Sequence, residues 1–171
     1  MRSILLAVVA AGIAGCQSVS DDAPRATASL QPTKDNKTFG EATFEQVGAD
    51  KVRIVVFAQN LKAGGEHGFH IHEAGDCSSG DGMSAKGHFN PAGKPHGMPG
   101  RESHAGDMPM LKAAKNGRAK LDFVLEGVTL ASGTNSIVGR GLIIHADPDD
   151  FKTQPTGNAG ARLACGVIRP G

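Results

Sequence analysis

The chain has 171 residues, 39% of them hydrophobic and 20% charged, which suffices for one globular domain with a core but not for two of ordinary size. A formal net charge of +1 argues against nucleic acid or an acidic membrane surface as a partner, because so weak an overall field holds neither. With 24 glycines and neither Trp nor Tyr, the composition favours turns and long irregular connections over an aromatic-rich core.

At the N-terminus, Arg2 precedes the apolar run "ILLAVVAAGIAG", which is too short to span a bilayer and suits the hydrophobic part of a secretory signal. The segment "IAGC" at 13–16 resembles a bacterial lipobox. That resemblance implies a signal peptide over 1–15, cleavage before Cys16 and a lipid attached to Cys16; ordinary signal-peptidase cleavage nearby is the plainer alternative. Gln17, rather than Asp, follows the cysteine, and by similarity to the sorting rule of enteric bacteria this favours the outer membrane. The expected location is therefore exported and periplasm-facing in a Gram-negative bacterium, with the lipid anchor as the only membrane contact. Residues 16–24 read as the lipidated cysteine and a polar tether, and 25–171 as the folded domain. Three cysteines are an odd number for an exported protein. Lipidation of Cys16 leaves Cys77 and Cys165 as a natural disulfide pair.

Short alternating segments follow at 26–30, 37–47, 51–60 and 65–73, and these are strand patterns. In the third, Val52, Ile54, Val56 and Ala58 share one face of the pleat, the face expected in the core, with Arg53 and Gln59 pointing outward. In "MLKAAKNGRAKLDFVLEG" at 110–127, Asn116 and Gly117 are expected to supply the left-handed angles of a tight hairpin, after which Leu121, Phe123 and Leu125 alternate. Two further strand-length runs lie at 135–146 and 161–170. About eight short strands without a convincing amphipathic helix argue for an antiparallel sandwich or barrel.

Residues 74–109 and 147–160 break the scheme, being crowded with Gly, Pro, Asp, Ser and His. Loops of such length in a compact domain are functional unless disordered. The seven histidines, His67, His70, His72, His88, His96, His104 and His145, all flank or form these stretches. On a strand His70 and His72 project from one face, close enough to bind one metal ion, while His67 points the other way. An isolated His-x-His reads more plainly as a half-exposed strand, and four further histidines shift that balance. His88, His96 and His104 are spaced eight and eight, with Asp107 three beyond. Three imidazoles and a carboxylate suit tetrahedral zinc, whereas four imidazoles in a flattened arrangement suit cupric copper. Six histidines can furnish two such sites by sharing one; the plainer reading of Asp107 alone is a solvated loop acid.

The blocks "GFHIHEAGDC", "GHFNP", "HGMPG", "HAGDMP", "GRGLIIHA" and "GNAGARLACGVI" together resemble copper–zinc superoxide dismutase, in order and from about residue 26 onward. The resemblance implies an all-β fold, an eight-stranded antiparallel Greek-key barrel of Ig-like sandwich architecture with two long functional loops. It implies His70, His72, His88 and His145 as copper ligands, and His88, His96, His104 and Asp107 as zinc ligands, with His88 bridging. Asp149 matches the carboxylate that links one copper and one zinc histidine, with Asp147 and Asp150 as close competitors. Cys77 and Cys165 match the intrasubunit disulfide, Arg162 the active-site arginine, and His67 a position that packs and hydrogen bonds near the copper strand.

The implied reaction converts superoxide to oxygen and hydrogen peroxide by alternate reduction and reoxidation of copper, with zinc structuring the site and His88 handling a proton. Arg162 also makes sense independently, since a fixed cation beside copper draws a small anion. One rival is a periplasmic copper and zinc buffering lipoprotein without useful turnover, which needs no anion guide. Another is a copper-only dismutase, disfavoured by the presence of His96, His104 and Asp107. Family members pair through different surfaces in different lineages, so a homodimer is an open expectation. The charges of "DPDDFKTQPTGNAG" depart from the familiar steering loop, so long-range guidance is not carried over.

Overall fold

The computed structural model describes residues 23–100 and 102–171. The expected leader over 1–15, Cys16 and most of the tether lie outside the described residues. Strands β1 (Arg25–Pro32), β2 (Phe39–Gly48), β3 (Lys51–Gln59), β4 (Glu66–His67), β5 (Phe69–His72), β6 (Leu111–Lys112), β7 (Ala119–Glu126), β8 (Gly141–His145), β9 (Arg162–Val167) and β10 (Arg169–Pro170) follow in chain order, with one turn of 3₁₀-helix at Met83–Ala85. The fold is all-β.

Every strand pairing is antiparallel. The main sheet runs β5-β8-β9-β1-β2-β3-β7, with β10 beside β1. The first three strands form a meander; the chain then crosses to the far edge for β5, returns to the opposite edge for β7 and crosses again to β8. These long returns give the Greek-key order. A separate ladder joins β4 to β6, the segments just before the two edge strands β5 and β7, and so draws the curled sheet's edges together.

Alternation sets which face is inside. Val52, Ile54, Val56 and Ala58 of β3 are buried and Arg53 is exposed, as the period of two requires. Gln59 is half-buried instead of fully outward. On the opposite wall, Phe69 and Ile71 of β5 and Leu142 and Ile144 of β8 join that same core. Their alternates His70, His72, Ile143 and His145 are buried as well, so both faces of β5 and β8 are covered. The inner face is covered by the barrel core. Loop 73–110 and loop 146–161 cover the outer one, and that outer face carries the histidines.

The hairpin before β7 differs from its expected form. Only Gly117 takes a left-handed angle, φ 71°, and Asn116 does not. Gly117 N–H donates to the Ala114 carbonyl at 2.9 Å and Ala114 N–H to the Arg118 carbonyl at 2.8 Å, a three-residue loop with glycine in the left-handed position. Asn116 instead accepts the Arg118 N–H through its side chain at 3.1 Å. A disulfide joins Cys77 at the start of loop 73–110 to Cys165 of β9, with Cα atoms 5.8 Å apart.

Candidate metal centre

The site grows from the free edge of β5. Ile71 N–H donates to the Gly106 carbonyl at 2.9 Å and Phe89 N–H to the Ile71 carbonyl at 2.8 Å, so two pieces of loop 73–110 lie along β5 as short strand-like partners. This pairing sets His72 opposite His88 and His70 opposite Asp107. Gly106 is required there, since a Cβ on it would come within 2.2 Å of the Ile71 carbonyl oxygen. Residues far apart in sequence thus acquire a strand register that aligns their side chains.

Two groups of donor atoms result. His70, His72, His88 and His145 each offer a nitrogen, and His88, His96, His104 and Asp107 each offer one atom, with the atoms of each group within 4.8 Å of one another. His88 belongs to both. Its Nδ1 lies 2.9 Å from Asp107 Oδ1, in the second group, while its Nε2 is buried without a hydrogen-bond partner.

The other ring nitrogens explain which atoms face inward. His70 Nε2–H donates to Asp149 Oδ2 at 2.7 Å, leaving Nδ1 bare, buried and without a hydrogen-bond partner. His72 Nδ1–H donates to the Lys86 carbonyl at 2.9 Å. His145 Nδ1–H faces the Gly160 carbonyl at 3.3 Å. The bare Nε2 atoms of His72 and His145 then stand 3.3 Å apart, a contact between lone pairs.

In the second group, Asp107 Oδ1 lies 2.9, 3.0 and 3.4 Å from the Nδ1 atoms of His88, His96 and His104. His96 gives its Nε2–H to Asp149 Oδ1 at 2.9 Å, which turns Nδ1 towards Asp107. The buried lone pairs of His72 and His145, which converge without a proton between them, are costly, and a cation resolves the cost. The observed spacings approach the roughly 3.3 Å edge of a tetrahedron with bonds of about 2.0–2.1 Å, which fits zinc. The all-nitrogen first group fits copper. Asp107 Oδ2 accepts the N–H groups of Gly97 at 3.1 Å and His104 at 3.2 Å, which orients its carboxylate.

Asp149 is the carboxylate that links the two groups, through His70 and His96. Asp150 accepts the N–H groups of Lys152 and Thr153 in its own turn, and the Asp147 carboxylate lies against Gly160. Gly157 packs so close to the Asp149–His96 contact that a Cβ would stand 2.6 Å from His96 Nε2. His67 stays outside both groups, its Nδ1–H donating to the His145 carbonyl at 2.9 Å.

Burial, reinforced by neighbouring imidazoles, holds His70 and His72 well below the ordinary histidine range, and burial pushes His145 down to about 4. Burial lowers His104 as well. For Asp107, burial acts upward but is outweighed by the His88 and Gly97 hydrogen bonds, so its pKa falls and it stays a carboxylate. The rings of His70, His72, His104 and His145 are therefore neutral and ready to donate lone pairs at neutral pH.

Arg162 borders the first group. The β8–β9 register shifts between Ile144 and His145, so that Ile144 faces Ala164 but His145 faces Arg162. Leu163 is the extra residue of the bulge, and without it the arginine would sit opposite Ala146. Arg162 Nη1 donates to the Gly82 carbonyl and Nη2 to the Lys86 carbonyl, each at 2.6 Å. Lys86 O thus holds His72 and Arg162 together. Lys86 achieves this at φ 62° and ψ −148°, a conformation costing on the order of 1–3 kcal/mol for a residue with a Cβ. Arg162 and His145 line one open cleft of about 690 Å³ with Lys34, Asp81, Met83 and Thr156.

A family model for copper/zinc superoxide dismutase (SODC) matches residues 38–168. This chain belongs to the copper/zinc superoxide dismutase family. It is 47% identical over 140 residues to "Superoxide dismutase [Cu-Zn] 2" of Aquifex aeolicus (strain VF5), covering 79% of this chain and 81% of the relative. To "Superoxide dismutase [Cu-Zn] 1" of the same organism it is 46% identical over 136 residues, covering 77% and 80%. Among solved structures, the crystal structure of the clock protein EA4 matches with a TM-score of 0.77 and 38% identity, over 86% of this chain and 94% of that one. Copper and zinc are the family's metals, and both donor groups can accept them. Sequence reasoning missed the Lys86 carbonyl and the Leu163 bulge, for neither has a side-chain signature; the positive φ of a lysine leaves no mark in the sequence.

Two predictions follow the geometry. His145 is held at about 4 against an ordinary 6.5, so as pH falls the unfolded chain takes up its proton first. Stability of metal-stripped protein is then complete above pH 6.5 and is lost as pH falls towards 4, by about 3 kcal/mol for this ring, measurable as a falling urea midpoint. Replacing Cys77 and Cys165 by Ser should remove up to about 4–5 kcal/mol of stability. It should also release the Gly82 and Lys86 carbonyls from β9, so that activity per bound copper falls severalfold. Unchanged specific activity would show that the disulfide does not place Arg162.

Proposed function

We propose that His70, His72, His88 and His145 hold copper and that His88, His96, His104 and Asp107 hold zinc, and that with these metals the protein converts superoxide to oxygen and hydrogen peroxide. The observation that carries the reading is His88, whose Nε2 is bare within the first group while its Nδ1 belongs to the second. When bound, copper supplies the one-electron couple and zinc a fixed positive charge.

The chain supplies the rest. Arg162, pinned by two carbonyls, presents a cation at the cleft where the anion arrives, and burial lowers its pKa without neutralising it. His145 stands opposite Arg162 in the sheet, and His72 shares the Lys86 carbonyl with it, so the cation borders two of the four rings. His88 can hold a proton at Nε2 while its Nδ1 side stays engaged, and so can return the proton to the reduced substrate. Asp149 keeps His70 and His96 in one tautomer, and the Lys86 carbonyl does the same for His72. Phe69, Ile71 and Leu142 form an apolar floor beneath the site that keeps the ring-bearing strands stiff.

Export and lipid attachment at Cys16 belong to the same proposal, supported by the apolar run and the small residues before that cysteine. Cells expressing the Cys16→Ala chain should incorporate no labelled fatty acid into it, and equal labelling of both chains would sink the anchor. For the site, purified full-length chain loaded with copper and zinc should remove superoxide at a rate that tracks copper content. His88→Ala should lose at least about 100-fold in that rate at equal copper. Undiminished turnover at full copper loading would refute the shared histidine.

A further inference from the structure

The amide of Gln154 grips the main chain of His96 at two points. His96 N–H donates to Gln154 Oε1 at 2.8 Å, and Gln154 Nε2 donates to the His96 carbonyl at 2.9 Å. A side-chain amide here copies the paired N–H and C=O of a strand neighbour, where neither loop has a strand. Among the described residues, Gln154 supplies both hydrogen bonds of the His96 main chain.

The other second-group residues are anchored differently. His88 is registered on β5 through its bridge to His72 and the Phe89–Ile71 hydrogen bond. His104 N–H is tied to Asp107 three residues on. His96 lies between them in an irregular stretch with no strand beside it. Its ring contacts, Asp107 at Nδ1 and Asp149 at Nε2, act only on the side chain.

Gln154 and Asp149 belong to one tight turn. Asp150 accepts the N–H groups of Lys152 and Thr153 at 2.9 and 2.8 Å, Gly157 N–H donates to the Thr153 carbonyl at 2.7 Å, and Gln154 Nε2 also reaches the Lys152 carbonyl at 3.2 Å. From this turn a carboxylate meets the far nitrogen of the His96 ring while an amide holds its backbone. We propose that Gln154 is the positioning residue for the zinc half of the centre, holding the His96 main chain so that Nδ1 stays aimed at the point it shares with His88, His104 and Asp107. The inference rests on the metal assignment above.

The test uses the full chain loaded with copper and zinc, in wild-type, Gln154→Ala and Gln154→Glu forms. Zinc release is followed with a chromophoric chelator, and cobalt(II) is placed in the zinc site to read its visible ligand-field bands. Gln154→Ala should release zinc about tenfold faster, with shifted cobalt bands, unchanged copper release and an unchanged melting temperature of the metal-stripped chain. Gln154→Glu keeps the acceptor for His96 N–H but turns an oxygen towards the His96 carbonyl, so its release rate should fall between the two. Wild-type zinc release and cobalt bands in Gln154→Ala would overturn the inference alone. So would faster zinc release matched by equally faster copper release and a lower metal-stripped melting temperature. A wild-type chain that takes up no zinc overturns the metal assignment and this inference with it.

Discussion

Six imidazoles share one buried volume, and the rest of the site exists to decide which nitrogen of each ring faces the middle. A neutral imidazole has one N–H and one lone pair, and burial holds His70, His72, His104 and His145 below the ordinary histidine range. Each N–H that is given to a fixed acceptor turns the opposite lone pair inward. Asp149 takes two of these protons, and the Lys86 and Gly160 carbonyls take two more. What remains at the centre is a set of ring nitrogens and the Asp107 carboxylate around two points, with His88 presenting one nitrogen to each. Such a set is unfavourable by itself and strongly favourable around cations, which links the architecture of the acceptors to the choice of metals.

The acceptors come from loops, so the loops must be held more firmly than their composition suggests. Loop 73–110 is laid against β5 by backbone hydrogen bonds from Ile71 and Phe89 and tied to β9 by the Cys77–Cys165 disulfide. Ala85 packs with Ile143 and Cys165 in a small apolar cluster on the outer face, beneath the segment that carries the Gly82 and Lys86 carbonyls. Loop 146–161 is joined to the first by Asp149 and Gln154, both acting on His96. The barrel gives these loops a stiff wall: β5 and β8 are buried on both faces, apolar inside and histidine-bearing outside.

Arg162 shows how an active site depends on one extra residue. Side chains opposite one another in an antiparallel pair share a face, and a shift of one residue reverses the face. The bulge at Leu163 brings the arginine level with His145, and the carbonyls of Gly82 and Lys86 then hold its guanidinium at the cleft. Because Lys86 O also accepts the His72 proton, a strained backbone conformation at one residue serves both the His72 ring and the Arg162 guanidinium.

Much of this was legible beforehand, for definite reasons. A period of two placed Val52, Ile54, Val56 and Ala58 in the core and put His70 and His72 on one face. Donor chemistry and ordered spacing singled out His88, His96, His104 and Asp107, and the count of cysteines paired Cys77 with Cys165. These readings depend on residue type and local interval, which a sequence carries directly. Asp147, Asp149 and Asp150 lie two, four and five residues after His145, and resemblance singled out Asp149 with the other two as competitors; folding turns Asp149 to His70 and His96, because the outcome depends on where a turn points its carboxylates. The hairpin at Gly117, the Leu163 bulge, the Lys86 carbonyl and the grip of Gln154 on His96 were likewise decided by tertiary structure. All four are matters of backbone position or of an amide shared between distant loops, and residue identity alone does not encode where a main-chain oxygen will stand.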